Sequence, residues 1–424
     1  MYYTPNKENN VFQLIVQYGA GEREFPKLGY AAQLMNNAGI MGAYEPQELK
    51  EELSKLNATC HVTADEDNLY IIMEGYEATL PQACQLLSRQ ILMPKLDEKQ
   101  LARLKGSAMG MRQQRKDNVS ILNEALRQYM LYGEKSDYIK ELTDKEIYEL
   151  QISELTGDIN RASNYEAKVF FTGTLPFDQV YDILSKNLPL VANERPSNSP
   201  QAKEMMPVTE NTVYFLPNND AEQAQIHLYI PMQKADKKDD VLRSAFNQYF
   251  GLDFTGIVLN EIREKRSMAY TAYAFVGTQG IAGKASYLRG YIGTQNDKAN
   301  DALDVLMSLV NDMPKNPERI GNIKSYLRQA MLTSHPSFRN KAMELVDLGY
   351  RGYTDDPAKE NLPKVDALTF DDIVKFYEEN IKGKPYCISI MGNPKDIDLK
   401  RLEKFGKVVK LNERKLFNTK DALF

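Results

Sequence analysis

The sequence predicts an α+β protein of two homologous units, each an antiparallel-rich sheet with helices packed on one face. Three observations carry this. The 424 residues exceed the roughly 250–300 at which a single core stops growing. Strands and helices come in groups rather than in strict alternation. Landmarks also recur at a near-constant interval: Met93-Pro94 and Met313-Pro314 lie 220 apart, and Lys105/Lys324 and Gly173/Gly392 each lie 219 apart.

In order, Phe12 to Tyr18 alternates as a half-buried strand. Short helices follow at 29–38 and 46–57, the second with Pro46 in its first turn and Leu49, Leu53 and Leu56 on one face. Strands at 59–64 and 68–74 flank the turn Asp65-Glu66-Asp67. Helices are predicted at 77–92, 97–116, 119–131 and 143–155; one stripe carries Leu101, Leu104, Ala108 and Met111, and Thr143 with Glu146 forms a capping box. A strand at 168–172 and a helix at 176–188 end the first unit.

The polar, proline-bearing run Arg195-Pro196-Ser197-Asn198-Ser199-Pro200 marks a boundary, which gives units at 1–195 and 213–424 and a linker at 196–212. The pattern then restarts. A strand at 225–231 leads to helices at 239–250 and 254–265 and strands at 268–276 and 285–292. Helices at 296–313, 316–333, 337–349 and 369–380, a strand at 385–391 and a helix at 395–404 complete it.

Composition excludes several classes. Charged residues at 26% and apolar ones at 42% exclude a disordered chain. The balance of 53 basic and 58 acidic residues contains no basic block, which argues against nucleic acid. No apolar run reaches the ~18–20 residues of a membrane span. Cys60, Cys84 and Cys387 are too scattered for a disulfide framework or a Cys-x-x-Cys site. The N-terminus lacks the apolar middle of a signal peptide, and the native N-terminus is expected to lie in sequence upstream, so bacterial periplasm and cytoplasm both stay open.

Few residues suggest chemistry. His61, His227 and His335 are isolated and read as structural, since a helical zinc site needs a second ligand at helical spacing. Ser107 lacks a nucleophile elbow. The glycines at 277, 280 and 283 separate two strands instead of opening a helix. Glu51-Glu52, Asp239-Asp240 and Asp371-Asp372 read as helix-start or solvated carboxylates. Arg263 and Tyr270, at a helix end and a strand start, could donate hydrogen bonds to a carbonyl or an oxyanion. On the residues alone Arg263 reads as solvated beside Glu264 and Lys265, and Tyr270 as half-buried.

The duplicated unit and the run Asn260-Glu261-Ile262-Arg263-Glu264-Lys265-Arg266-Ser267-Met268-Ala269-Tyr270 resemble the pitrilysin/insulinase family of zinc metallopeptidases. In that family two halves, each a pair of such units, close around an unfolded peptide, and H-x-x-E-H lies on the first helix of the first unit. Where the family has its two His and its Glu, this sequence has Ala32, Met35 and Asn36. The resemblance therefore implies the non-catalytic half, either as the C-terminal part of a longer chain or as a partner subunit. It binds no metal itself, and zinc is expected on the partner half. It also implies that Arg263 and Tyr270 reach extended peptide substrate near the scissile bond. The alternatives are a scaffold, or a peptide-binding protein of the same fold that adds a substrate strand to a sheet edge.

Overall fold

The computed structural model describes residues 1–115, 118–188, 195–251, 255–334 and 336–420. His335 and the start of the helix expected at 254 lie outside the described residues. The first unit's strands are β1 (Tyr2–Pro5), β2 (Val11–Tyr18), β3 (Gly39–Ile40), β4 (Thr59–Ala64), β5 (Leu69–Tyr76), β6 (Pro94–Lys95) and β7 (Ala167–Gly173). Its helices are α1 (Leu28–Met35), α2 (Pro46–Lys55), α3 (Leu80–Leu92), α4 (Glu98–Gln114), α5 (Val119–Tyr132), α6 (Asp137–Lys140), α7 (Asp144–Tyr148), α8 (Ile152–Ala162) and α9 (Phe177–Asn187). The second unit has β8 (Thr212–Pro217), β9 (Gln223–Lys234), β10 (Ala269–Thr278), β11 (Ala285–Gln295), β12 (Cys387–Gly392) and β13 (Lys407–Lys410). Its helices are α10 (Asp240–Phe250), α11 (Ile257–Leu259), α12 (Ala299–Asn311), α13 (Ile320–Thr333), α14 (Lys341–Tyr350), α15 (Pro357–Ala367), α16 (Phe370–Asn380) and α17 (Leu399–Leu402).

The two large sheets have one topology. The first runs β1-β7-β2-β5-β4, and the second runs β10-β11-β9-β12-β8-β13, which is the same order read from the other end with β13 added. In each, the central strands are antiparallel and the N-terminal strand pairs parallel with the last core strand. Registers fix the equivalences: Leu14 faces Met73 and Phe171, while Ile226 faces Ile292 and Ile390, with the partners again 219 apart.

Two of the sequence landmarks do the same work in both units. The Lys105 ammonium donates to the Tyr148 carbonyl at 2.8 Å, and Lys324 donates to Asp366 and Leu368 carbonyls at 2.6 and 3.1 Å; both close the C-terminus of a helix. At Gly173 a Cβ would lie 2.2 Å from Glu77 Oε1, and at Gly392 it would lie 2.7 Å from Asn296 Oδ1. Glu77 accepts from the Thr174 amide and hydroxyl and, at 3.1 Å, from the Leu175 amide. Asn296 accepts from the Asn393 amide at 2.9 Å. Only a glycine lets these side chains come so close to the strand end.

The structure changes several expectations. β1, β8 and β13 were not expected, because each is a run of four to six residues without alternation. α15 was missed because Pro363 lies inside it. The helix expected at 143–155 keeps its Thr143 capping box but is split into α7 and α8. The one expected at 395–404 shrinks to α17 and a 3₁₀ turn. Met111, expected on the buried stripe of α4, is exposed.

The expectation of helices on one face also needs extension. Each sheet's second face is covered by a helix of the other unit. Leu122 and Leu126 of α5 pack on Leu216 and Met391 of the second sheet. Ala342, Met343 and Val346 of α14 pack on Ile15, Phe170 and Ile72 of the first. The exchange is reciprocal.

A polar contact at the second sheet has no counterpart at the first. His227, the equivalent of Ile15, meets Asn123 of α5 at 3.0 Å, whereas Ile15 meets Ala342. Burial, aided by Arg289 and Arg127, pushes the His227 imidazole down to about 3. The neutral ring is the folded form, so its contribution is complete above the ordinary value of 6.5 and is lost as pH falls from there toward 3. Denaturant titrations across that window are expected to fall by at most about 1.4 kcal/mol per pH unit from this group. The double variant His227→Ile/Asn123→Ala, which copies the first unit's pair, should flatten that part of the slope.

Candidate functional site

α11 buries Ile257, Val258 and Leu259 and runs into one turn of π-helix, Asn260–Glu264, closed by the Lys265 amide donating to the Asn260 carbonyl at 2.9 Å. The continuous helix expected over 254–265 is therefore broken in geometry at Asn260. Ile262 is fully buried and anchors the turn. Ser267, at φ 51°, then reverses the chain, with its amide on the Arg263 carbonyl at 2.8 Å and the Met268 amide on Ile262 at 3.0 Å. Ser267 and Asn57, which ends the α2 turn in the first unit, are the non-glycine residues with positive φ among the described residues. Lys265 and Arg266 both bond Glu261, and these two cations hold its carboxyl below the usual range.

β10 starts with a bulge. Ala269 faces Thr294 and Thr271 faces Gly293, so Tyr270 is an extra residue that faces none. In the first unit Thr59 faces Glu74, the position equivalent to Gly293, and strand pairing there is regular. Tyr270 is therefore an insertion without a first-unit counterpart. A bulge bends the strand and re-aims its side chain. Here it turns the ring outward, to 77% exposure. The half-buried position read from the sequence is corrected by this unpaired residue.

Arg263 sits beside it, with its guanidinium carbon 5.4 Å from the centre of the Tyr270 ring. Arg263 Nε also lies 3.6 Å from Glu264. The pair forms one wall of an open depression of about 520 Å³, whose other residues include Gln223, Thr294 and Lys298. The stack holds a planar donor and a phenol in one orientation toward that depression.

The zinc-motif positions are elsewhere and do not fit a metal. Ala32 and Met35 are buried in the first unit's core. The Asn36 amide is fully engaged: its Oδ1 accepts from the Val62 amide at 2.7 Å and its Nδ2 donates to the Val62 carbonyl at 2.8 Å. Among the described residues, no group of three or more His, Cys, Asp or Glu side chains is placed to hold a metal ion. Of the histidines, His61 is exposed and His227 is buried. The cysteines are free, Cys84 and Cys387 buried and Cys60 partly so. No helix among the described residues is long and apolar enough to cross a membrane.

Asn36 reveals a feature that the sequence reading missed. β4 and β10 end their sheets, and an edge strand offers unpaired amides and carbonyls to another strand. Asn36 occupies that pair at Val62. In the second unit Asn247 of α10 does the same at Val276, accepting at 2.6 Å and donating at 3.0 Å. Each side-chain amide stands where a neighbouring peptide group would pair. The signal available in the sequence was an asparagine at the end of the first α-helix after β2, and another late in the first α-helix after β9. Asn36→Ala should cost about 1–2 kcal/mol and speed hydrogen exchange at Val62. Unchanged protection there would mean that something else covers the edge.

Residues 163–324 match the sequence profile described as the peptidase M16 inactive domain. Among solved structures, the peptidase M16 inactive domain from Pseudomonas fluorescens superposes with a TM-score of 0.71 at 16% identity, covering 93% of this chain and 96% of that one. The periplasmic protease PqqL from Escherichia coli gives 0.68 at 13% identity over 91% of this chain. A mutant of the ferredoxin protease FusC, in complex with Arabidopsis ferredoxin, gives 0.69 at 11% identity over 92%. The chain spans 43% and 44% of those two proteases. No curated protein sequence matches. The profile described as the peptidase M16 inactive domain thus matches residues 163–324, and the fold of these structures extends over about nine-tenths of this chain.

Proposed function

We propose that this chain is the non-catalytic half of a zinc-dependent peptidase, with units at 1–195 and 213–424, and that it closes a chamber around extended peptide. Arg263 and Tyr270 bind that peptide, and the metal belongs to a zinc-bearing partner half, either covalently joined or separate. The observation that carries the reading is the bulge at Tyr270. An inserted, exposed aromatic held by a stacked guanidinium has no packing role in its own unit, and it faces an open depression. A phenol and a guanidinium there can donate to a substrate carbonyl and to the charge that develops on it. The chain supplies these donors and supplies neither metal ligands nor a general base at Ala32, Met35 and Asn36. The two proteases of about twice the length, one seen with a protein bound, support a chamber of two halves.

Reconstitution tests this. Mixed with a zinc-bearing half from the same source, the chain should raise cleavage of an unfolded peptide well above that of either part alone. Equal activity with and without it would remove the reading.

A further inference from the structure

Between the two units lies an open depression of about 730 Å³, walled by the equivalent hairpins β4–β5 and β10–β11 and by the exchanged helices α5 and α14. Tyr70, Tyr132, Tyr287 and Tyr350 face it, with Glu66 and Asp137 among its carboxylates. Linker residues Pro200 to Lys203 line this depression. The linker backbone is held as a bound peptide would be. The Asn198 amide donates to the Gly19 carbonyl at 2.9 Å, the Gln201 carbonyl accepts from Arg23 at 3.1 Å, the Lys203 carbonyl accepts from Gln279 at 2.5 Å, and the Met206 amide donates to Leu131 at 2.7 Å.

The side chain of Lys203 enters the depression. Its ammonium bonds the Asp137 carboxylate, lies 3.6 Å from Glu66, and sits 4.8 Å from the centre of the Tyr132 ring. Asp137, the Tyr132 face and Glu66, which also pairs with Arg23, together make a receptor for a primary ammonium, because each is attracted to the charge and the ring tolerates its alkyl stem. Burial pushes the Glu66 carboxyl up and Asp137 adds to this, while Lys203 opposes both. Lys203 keeps 15% of its side-chain exposure, against 43% for Glu66 and 53% for Asp137.

We infer that this depression is a binding site for a lysine side chain on an extended peptide, and that Lys203 of the linker fills it as an internal ligand that keeps it blocked. The site is separate from Arg263 and Tyr270, so the inference stands apart from the reading of that pair.

The test uses the full chain and the peptide acetyl-Gln-Ala-Lys-Glu-Met-amide, a copy of residues 201–205, with a norleucine analogue in place of its lysine. By calorimetry, the unaltered chain should bind neither. Lys203→Ala should bind the lysine peptide at least about tenfold more tightly than the norleucine one, and adding Asp137→Asn should erase that preference. Lys203→Met, which keeps the stem, serves if the alanine variant is unstable. Hydrogen exchange at Met206 should accelerate in either variant while the melting temperature stays near that of the parent. Absence of binding by the folded variants, or equal binding of both peptides, would overturn the inference.

Discussion

Tyr270→Phe, in the chain assembled with the zinc-bearing half proposed for it, is expected to lower kcat about 10²-fold with little change in KM. Phenylalanine keeps the ring on which the Arg263 guanidinium rests and removes only the hydroxyl, so the loss reports a donor used as charge develops. Arg263→Ala should be at least as damaging, since it removes a donor and the group 5.4 Å away that orients the phenol. Arg263→Lys should recover little, because an ammonium lacks the planar stacking face and the forked donors. Steady-state kinetics on a peptide with a single cleavage site would measure all three. If every variant matched the parent, the chain would be a scaffold and the exposed tyrosine would need another explanation.

Glu77→Ala is expected to cost about 3 kcal/mol of stability, the largest effect of any single polar substitution considered. Its carboxylate is 6% exposed and satisfies two backbone amides and one hydroxyl at the end of β7. Truncation orphans these donors, each at a cost of about 1–3 kcal/mol if water cannot replace the acceptor. Glu77→Asn copies Asn296 at the equivalent place and should restore part of the loss. Chemical denaturation of the two variants side by side would rank them. An alanine variant as stable as the parent would mean that water reaches the Thr174 and Leu175 amides.

Much of the fold could be read from the sequence because its causes are local. Alternation in Phe12 to Tyr18, the capping box at Thr143, and the repeated Lys105/Lys324 and Gly173/Gly392 each correspond to a definite bond or close approach. The parallel strands β1, β8 and β13 left no such trace, since pairing with a distant neighbour sets them rather than periodicity. The exchange of α5 and α14 was equally hidden, as nothing in an amphipathic helix says whose sheet it will cover. The candidate site lies between these cases. Arg263 and Tyr270 drew attention through resemblance to a family, while the bulge that turns Tyr270 outward depends on a register of β10 against β11. Lys203 and the two edge-bonding asparagines are ordinary polar residues until the surfaces they meet are in place.

The reciprocal helices also set an order of events during synthesis. The first sheet is complete in sequence at Gly173, yet Ile15, Phe170 and Ile72 stay uncovered until the ribosome has delivered α14. In the meantime α5, already made, waits for a sheet whose strand β12 comes almost at the end. The nascent chain therefore carries sticky, half-finished surfaces through much of its translation. Its two units are expected to reach their native state together, late, and with a need for chaperone cover that a tandem of self-sufficient domains would not have.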